Sequence, residues 1–466
     1  MPAVAPLLFL FACPTEPRPD APAPTDPACS LPSPVTGTSS WGGLIDAEPP
    51  AATGFFGLTQ RCGRDWLRDP DGYPFRSFGI NTFGPYGAAG QVSGRDLYGE
   101  YVASTYGSSD AWAEAQLRFV RSFGLNTGGA WSDTTLLVAH GFPVTPILYL
   151  SGGDWLTGEI VDWWDPAWQG AVETAVAEKV APWVDEPAIL GWFLDNEMRW
   201  GPDWRGPETL LALYLRFSPE AAGKTAAVDS LLDHFGDISA LNQELGTGFA
   251  GRDDMLAATD WPAFGVDDPW VRGFLSLAAD RYFSVTATAV REVDPNHLLL
   301  GNREVSVMTP AEVYEAAGQW LDVVSINDYV FTEGIAEVAL TLSGGLDPAD
   351  GFAAQHALAG RPMLITEFGF RADDSGLPNS WPPQYPTYET QAERGVAYTS
   401  YVETYRAVPW VLGWHWFQWV DQPEEGRFDG EDNNWGLVNI SGEPYTEVLG
   451  RMATQHFVAQ AELLAP

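Results

Sequence analysis

AILGWFLDNEMRWG, residues 188–201, decides how this chain is read. From Ala188 to Leu194 no residue is polar, so a strand here would have no face left for water. That is the mark of a strand covered on both sides, as in parallel sheets flanked by helices. The run then stops on Asp195-Asn196-Glu197, placing a carboxylate where the apolar stretch ends.

The same grammar recurs on both sides of it. Earlier runs are Arg76–Asn81 (RSFGIN), Leu125–Gly128 (LNTG) and Pro143–Leu150 (PVTPILYL). Later ones are His297–Gly301 (HLLLG), Asp322–Asn327 (DVVSIN), Pro362–Thr366 (PMLIT) and Val411–Trp419 (VLGWHWFQW). Helical spacing fills the intervals. Ala113, Leu117 and Val120 recur at i, i+4, i+7, and Val228, Leu231, Leu232 and Phe235 at i, i+3, i+4, i+7. Eight strands alternating with helices predict a (β/α)8 TIM barrel, an α/β fold. An open doubly wound sheet is the alternative, but no Gly-rich phosphate loop follows the first strand. The stretch 200–296 reads as a mainly helical insertion between strands 4 and 5.

The 466 residues are 45% hydrophobic and 13% aromatic, ample for a large core, which excludes a mainly disordered chain. Against 62 acidic residues stand 24 basic ones, a formal charge of −38 that repels polyphosphates and excludes nucleic acid as a natural partner. Lys179 and Lys224 are the only lysines. Such a surface fits a salty habitat, and a GC-rich genome would equally favour arginine. Cys13, Cys29 and Cys62 make no CxxC pair and only 6 His are present, which argues against a metal site. Cys29 and Cys62 could pair in an oxidising compartment or stay as thiols.

Residues 3–12 (AVAPLLFLFA) have the length of a signal-peptide core and end in Leu10-Phe11-Ala12-Cys13, similar to a bacterial lipobox. The expectation is a signal/lipobox-like segment over 1–13, with export and a lipid anchor on Cys13. A disordered Pro/Ala-rich linker follows over 14–40, and a catalytic domain over 41–466. The location expected is extracellular, periplasmic or on the outer surface of a bacterium.

In a barrel of this kind, chemistry sits at the carboxyl ends of the strands. Strand four delivers Glu197, and strand seven, ending in Ile365-Thr366-Glu367-Phe368-Gly369, delivers Glu367. Two carboxyl groups across one mouth are what glycosidic hydrolysis needs. One protonates the leaving oxygen, and the other stays ionised to attack the sugar or activate water. The assignment is Glu197 as general acid/base and Glu367 as nucleophile, with no cofactor. It predicts a bell-shaped pH profile, the acidic limb from the nucleophile and the basic limb from the acid. Tyr329, ending strand six, is placed to bond the nucleophile. Arg303 is placed to bond Glu367 or a substrate hydroxyl. Trp131 and Trp416 are the candidates for stacking on sugar rings, ahead of Trp155, Trp200 and Trp435. Asp195 and Glu304 are rival carboxylates, of which Asp195 is read as supporting, and His415 is read as structural.

These motifs resemble clan A of the retaining glycoside hydrolases, and more closely glycoside hydrolase family 50, the β-agarases. The resemblance rests on GLNT at 124–127 with WSD at 131–133, GWFLDNEMRWG at 191–201 and DPNHLLLG at 294–301. It continues in HWFQWVDQP at 415–423, GEDNNWGLV at 430–438 and the insertion segment LNQELGTGF at 241–249. It implies that Asn196 bonds the sugar 2-hydroxyl. It also implies a retaining β-glycosidase for a neutral, galactose-containing polysaccharide or its oligosaccharides. A β-galactosidase or another clan A specificity is the nearest alternative. A non-catalytic carbohydrate-binding barrel would tolerate loss of either glutamate. A metal-dependent hydrolase would need the HxH clusters that the sequence lacks.

Overall fold

The computed structural model describes residues 37–45, 51–61, 63–306, 308–332 and 351–462. Residues 1–13, most of the linker and all three cysteines lie outside them. Thirteen strands are present among the described residues. They are β1 (Gly57–Arg61), β2 (Arg64–Arg68), β3 (Pro74–Phe75), β4 (Ser77–Ile80), β5 (Thr127–Gly128), β6 (Gly191–Phe193) and β7 (Leu298–Gly301). There follow β8 (Glu304–Val305), β9 (Val324–Asn327), β10 (Met363–Phe368), β11 (Arg371–Ala372), β12 (Thr387–Tyr388) and β13 (Val411–Trp416).

The architecture is mixed α/β around parallel strands. One sheet has the order β5-β4-β13-β10-β9-β8, with every neighbouring pair parallel. β6 and β7 form a second parallel pair. Isolated parallel bridges Gly128↔Val144, Val144↔Ile189 and Ile147↔Phe193 run between β5 and β6. On the far side of β7, the Leu299 carbonyl accepts from the Asp322 and Val323 amides at 3.2 and 3.1 Å.

The unbroken apolar runs have a clear cause: successive side chains enter two different cores. In β10, Met363 and Ile365 join the large cluster beneath the helices, while Leu364 joins a smaller one. In β7, Leu299 belongs to the large cluster and Leu298 and Leu300 to the smaller. That smaller core also takes Leu190, Phe193, Val323 and Leu412. It is sealed by Phe56, just before β1, and by Leu67 and Phe75 from β2 and β3; β1–β3 form an antiparallel unit standing before the first parallel strand. Each such side chain contributes about 1.5–3 kcal/mol by leaving water.

The expected run 143–150 forms no ladder strand. Pro143 and Pro146 have no amide hydrogen to give, so only bridges at Val144 and Ile147 survive. β10 runs past the expected Thr366 to Phe368, with a bulge: Ile365 pairs Ile326 and the next partners are Glu367 and Asn327. One extra residue, Thr366, thus turns Glu367 to face Asn327 across the ladder. Between 200 and 296 lie five helices: Leu210–Leu215, Ala222–Phe235, Ile238–Leu245, Arg252–Ala257 and Pro269–Val293. The last starts with Pro269 in its first turn and buries Phe274, Ala278 and Tyr282, a stripe repeating every fourth residue. No helix among the described residues is long and apolar enough to cross a membrane.

Candidate active site

Glu197 lies four residues beyond β6 with a left-handed backbone (φ 47°), a conformation that costs a non-glycine residue about 1 kcal/mol or more. Neighbours impose it. The Glu197 amide donates to the Asn302 carbonyl at 3.0 Å, and its carbonyl accepts from Arg205 Nη2 at 3.0 Å. The half-buried carboxylate accepts from Asn327 Nδ2 on Oε1 (2.9 Å) and from the Trp155 indole on Oε2 (3.1 Å).

Glu367 is only 7% exposed. Tyr329 donates its hydroxyl to Oε1 at 2.7 Å, while Arg303 Nη2 and Asn327 Nδ2 (3.3 Å) donate to Oε2. Burial pushes this carboxyl up to about 7; Arg303 pulls against it, Glu197 adds to the rise, and Tyr329 opposes it.

One amide nitrogen therefore holds both acids. Its bonds of 2.9 and 3.3 Å, laid end to end, cap the gap between the two oxygens at 6.2 Å. With the two amide hydrogens at 120°, the gap is ~5.4 Å, the spacing at which the second carboxylate attacks a sugar directly.

Arg303 (φ 54°, fully buried) is the hub behind the pair. Its Nε donates to Asn196 Oδ1 at 2.8 Å, and Nη1 to the Thr366 carbonyl at 2.9 Å and Asn81 Oδ1 at 3.3 Å. The guanidinium sits 4.7 Å from the centre of the Trp131 ring and 5.3 Å from that of Phe193. Of the two partners expected for Arg303, the structure supplies Glu367. Asn196, 6% exposed, is locked to that arginine in the same cluster. Trp131 is half-buried with φ 59° and bonds the Tyr149 hydroxyl.

Trp416 must be reassigned. It is 1% exposed, its indole donates to the Trp435 carbonyl at 2.9 Å, and its ring packs against Phe368, Phe370 and the Arg394 guanidinium. Strand alternation turns it away from the mouth, so it is core and cannot stack on a sugar. Glu304 also stands apart from the pair, taking the Trp200 indole at 2.9 Å and Thr309 at 3.3 Å. Burial pushes Glu304 up to about 7. Asp195 accepts the Ser151 amide at 2.6 Å and ties the following loop to β6. His415 bonds Ser77 at 2.8 Å, and burial keeps its imidazole neutral with a pKa of about 3.

Three members of the site escaped sequence reasoning. Asn327 ends a strand two residues before Tyr329, and the strand-end rule alone could have found it. Tyr385, with its ring 4.9 Å from Tyr329 and 5.6 Å from Trp435, comes from a loop without periodicity. Glu431, held by Gln422 at 2.5 Å and Arg427 at 3.0 Å, feels the charge of Glu197 and lies in a similar loop. Among the described residues no group of three His, Cys, Asp or Glu side chains could hold a metal ion.

Fold and site together define a class: α/β proteins whose parallel strand ends bring two carboxylates within bonding reach of one amide. The chain is similar to several agarases. The chain is 28% identical over 401 residues to β-agarase A of Vibrio sp. (strain JT0107), covering 81% of this chain and 38% of that one. It is 26% identical to β-agarase B of the same strain over 408 residues, 82% of this chain and 40% of the relative. The chain thus spans about two fifths of the length of these relatives. Among solved structures, an exo-β-agarase superposes with a TM-score of 0.77 at 23% identity, over 94% of this chain and 69% of that one. The agarase AgWH50C gives 0.74 at 24%, over 92% and 68%. BpGH50 gives 0.69 at 20%, over 92% and 86%. These likenesses show the fold. No family model matches the chain.

Proposed function

We propose that this chain is a retaining β-glycoside hydrolase acting on a neutral, galactose-containing polysaccharide or its oligosaccharides, in the manner of a β-agarase. One observation carries the reading: Asn327 Nδ2 bonds both Glu197 and Glu367, a close approach that supports a double displacement. The likeness to two curated β-agarases supports the substrate class.

Glu367 attacks the anomeric carbon while Glu197 gives its proton to the leaving oxygen, forming a sugar–Glu367 ester. Water then attacks that carbon, Glu197 takes the water's proton, and the ester bond breaks to restore the Glu367 carboxylate. Two carboxylates this close resist a second negative charge, so one proton stays with the pair. The Arg303 cation opposes the burial that raises the Glu367 carboxyl and favours its charged form. Asn196, fixed by Arg303, offers its amide group to the sugar 2-hydroxyl.

Several finer readings go with this proposal. The parallel pairs, the bridges at Val144 and Ile147, and the Leu299 bonds support a closed eight-strand barrel of the clan A type. Residues 41–466 form the catalytic domain. A polymer substrate cannot cross a bilayer, which supports export through residues 1–13, and the lipobox-like Leu10-Phe11-Ala12-Cys13 run supports an anchor at Cys13.

The test is Glu197→Gln and Glu367→Gln assayed on agarose, galactan, glucan and mannan. Each substitution should cut turnover of one galactan by about 10³-fold or more. The acidic limb of the parent's kcat/KM should fall near pH 7, where burial puts Glu367. Undiminished turnover in either variant would refute the assignment.

A further inference from the structure

Beside Glu197 stands a structure that the two-acid chemistry does not use. Trp204 is 50% exposed. One of its faces is already backed. The Arg205 guanidinium lies 4.2 Å from the ring centre, and that side chain is itself only 3% exposed. Arg205 cannot drift. Asp203 accepts from its Nε and Nη2 at 2.9 and 2.6 Å, Nη1 donates to the Trp155 carbonyl at 3.1 Å, and Nη2 to the Glu197 carbonyl at 3.0 Å. A single buried cation thus fixes three things in one frame: the acid's backbone, the Trp155 loop and the plate of Trp204. Trp155 stands 6.3 Å from Trp204 at 58° and gives its indole hydrogen to the Glu197 carboxylate.

We infer that Trp204 and Trp155 form the binding site for the leaving-group side of the polysaccharide. Sugar rings present flat C–H faces, which settle on indoles held rigid in advance at little entropic cost. The side follows from the chemistry: Glu197 protonates the leaving oxygen, so the sugar bearing that oxygen lies against whatever flanks Glu197. The assignment rests on the proposed hydrolase reading and adds to it the subsite and its occupant, a neutral sugar beyond the cleaved bond.

The same subsite receives the acceptor when an oligosaccharide replaces water in the second step. The acceptor's hydroxyl oxygen then bonds the anomeric carbon, its proton passes to Glu197, and the sugar–Glu367 bond breaks to return the carboxylate. The experiment compares the parent with Trp204→Ala and Trp204→Phe on agarose oligosaccharides, with and without added oligosaccharide acceptor. Trp204→Ala should raise KM about 10-fold with kcat changed less than about threefold, and Trp204→Phe should recover most of the loss. At fixed acceptor, the ratio of transfer to hydrolysis should fall by a similar factor in Trp204→Ala, with the pH profile unmoved. Unchanged KM and transfer ratio overturn the inference while leaving the hydrolase reading intact. A raised KM with an unchanged transfer ratio also overturns it, placing Trp204 on the other side of the bond. A parent that cleaves no galactan overturns the hydrolase reading and this subsite with it.

Discussion

Glu304→Gln should make the protein more stable at pH 8 and leave it nearly unchanged at pH 5. Glu304 is 2% exposed, and burial raises its carboxyl from 4.5 to about 7. A carboxyl whose folded pKa is raised binds its proton more tightly in the folded state. Folding therefore takes up a proton between pH 4.5 and 7, and stability falls as pH climbs through that window. A rise from 4.5 to about 7 is worth about 3 kcal/mol, fully lost above pH 7.5. Glutamine has the shape of the protonated acid, and its carbonyl can still take the Trp200 indole hydrogen now bonded at 2.9 Å. At pH 5 the two proteins should agree within about 1 kcal/mol, and at pH 8 the variant should lead by up to about 3 kcal/mol. Urea unfolding of both proteins at pH 5, 6, 7 and 8 measures the difference, in which titrating groups not coupled to Glu304 cancel. A constant difference across that range, or a variant less stable at pH 8, would refute the burial argument.

Asn327→Ala removes the hydrogen bond shared by the two acids; kcat should fall about 10- to 100-fold. Since the lost N–H favours the charged form of Glu367, the acidic limb of the pH profile should move to higher pH, which a stopped assay across pH 5–9 detects. Trp416→Phe should leave KM unchanged and cost about 1–3 kcal/mol in unfolding experiments, because Trp416 fills core space and touches no sugar. A doubled KM would return Trp416 to the cleft. Finally, the −38 formal charge strains the compact state through self-repulsion, so raising NaCl from 0.05 to 1 M should lift Tm by roughly 5 °C. A flat scan would show the charges to be well dispersed or paired.

What sequence could deliver depended on whether a residue's role is local. The strand at Gly191–Phe193 and the carboxylate side chain following it were legible because burial on two faces leaves an unbroken apolar run that stops where water begins. Tyr329 was legible for the same reason. The run around Ile147 misled because hydropathy is blind to the two prolines that remove ladder hydrogens. Trp416 misled for a subtler reason. Its place on the last strand was right, but which face a side chain takes depends on register and on how far the strand runs before bending. Tyr385 carried no signal and Glu431 was legible only as a member of the GEDNNWGLV motif, without a role, since both sit in loops whose course is set by contacts far away in sequence. Thr366 shows the limit most sharply: the bulge that aims Glu367 at Asn327 exists only between two paired strands, and no single segment encodes it.

The arginine at 303 carries a consequence for how this molecule comes into being. Its one planar group ties Asn81, Asn196, Thr366 and Glu367, drawn from both ends and the middle of the chain. Until synthesis has passed residue 367, that fork has only Asn81 and Asn196 to grip, and a nascent fragment holds Glu197 without Glu367. Appearance of turnover would therefore report the finished molecule, lagging behind any spectroscopic sign of helices, and no amino-terminal piece should cut sugar by itself.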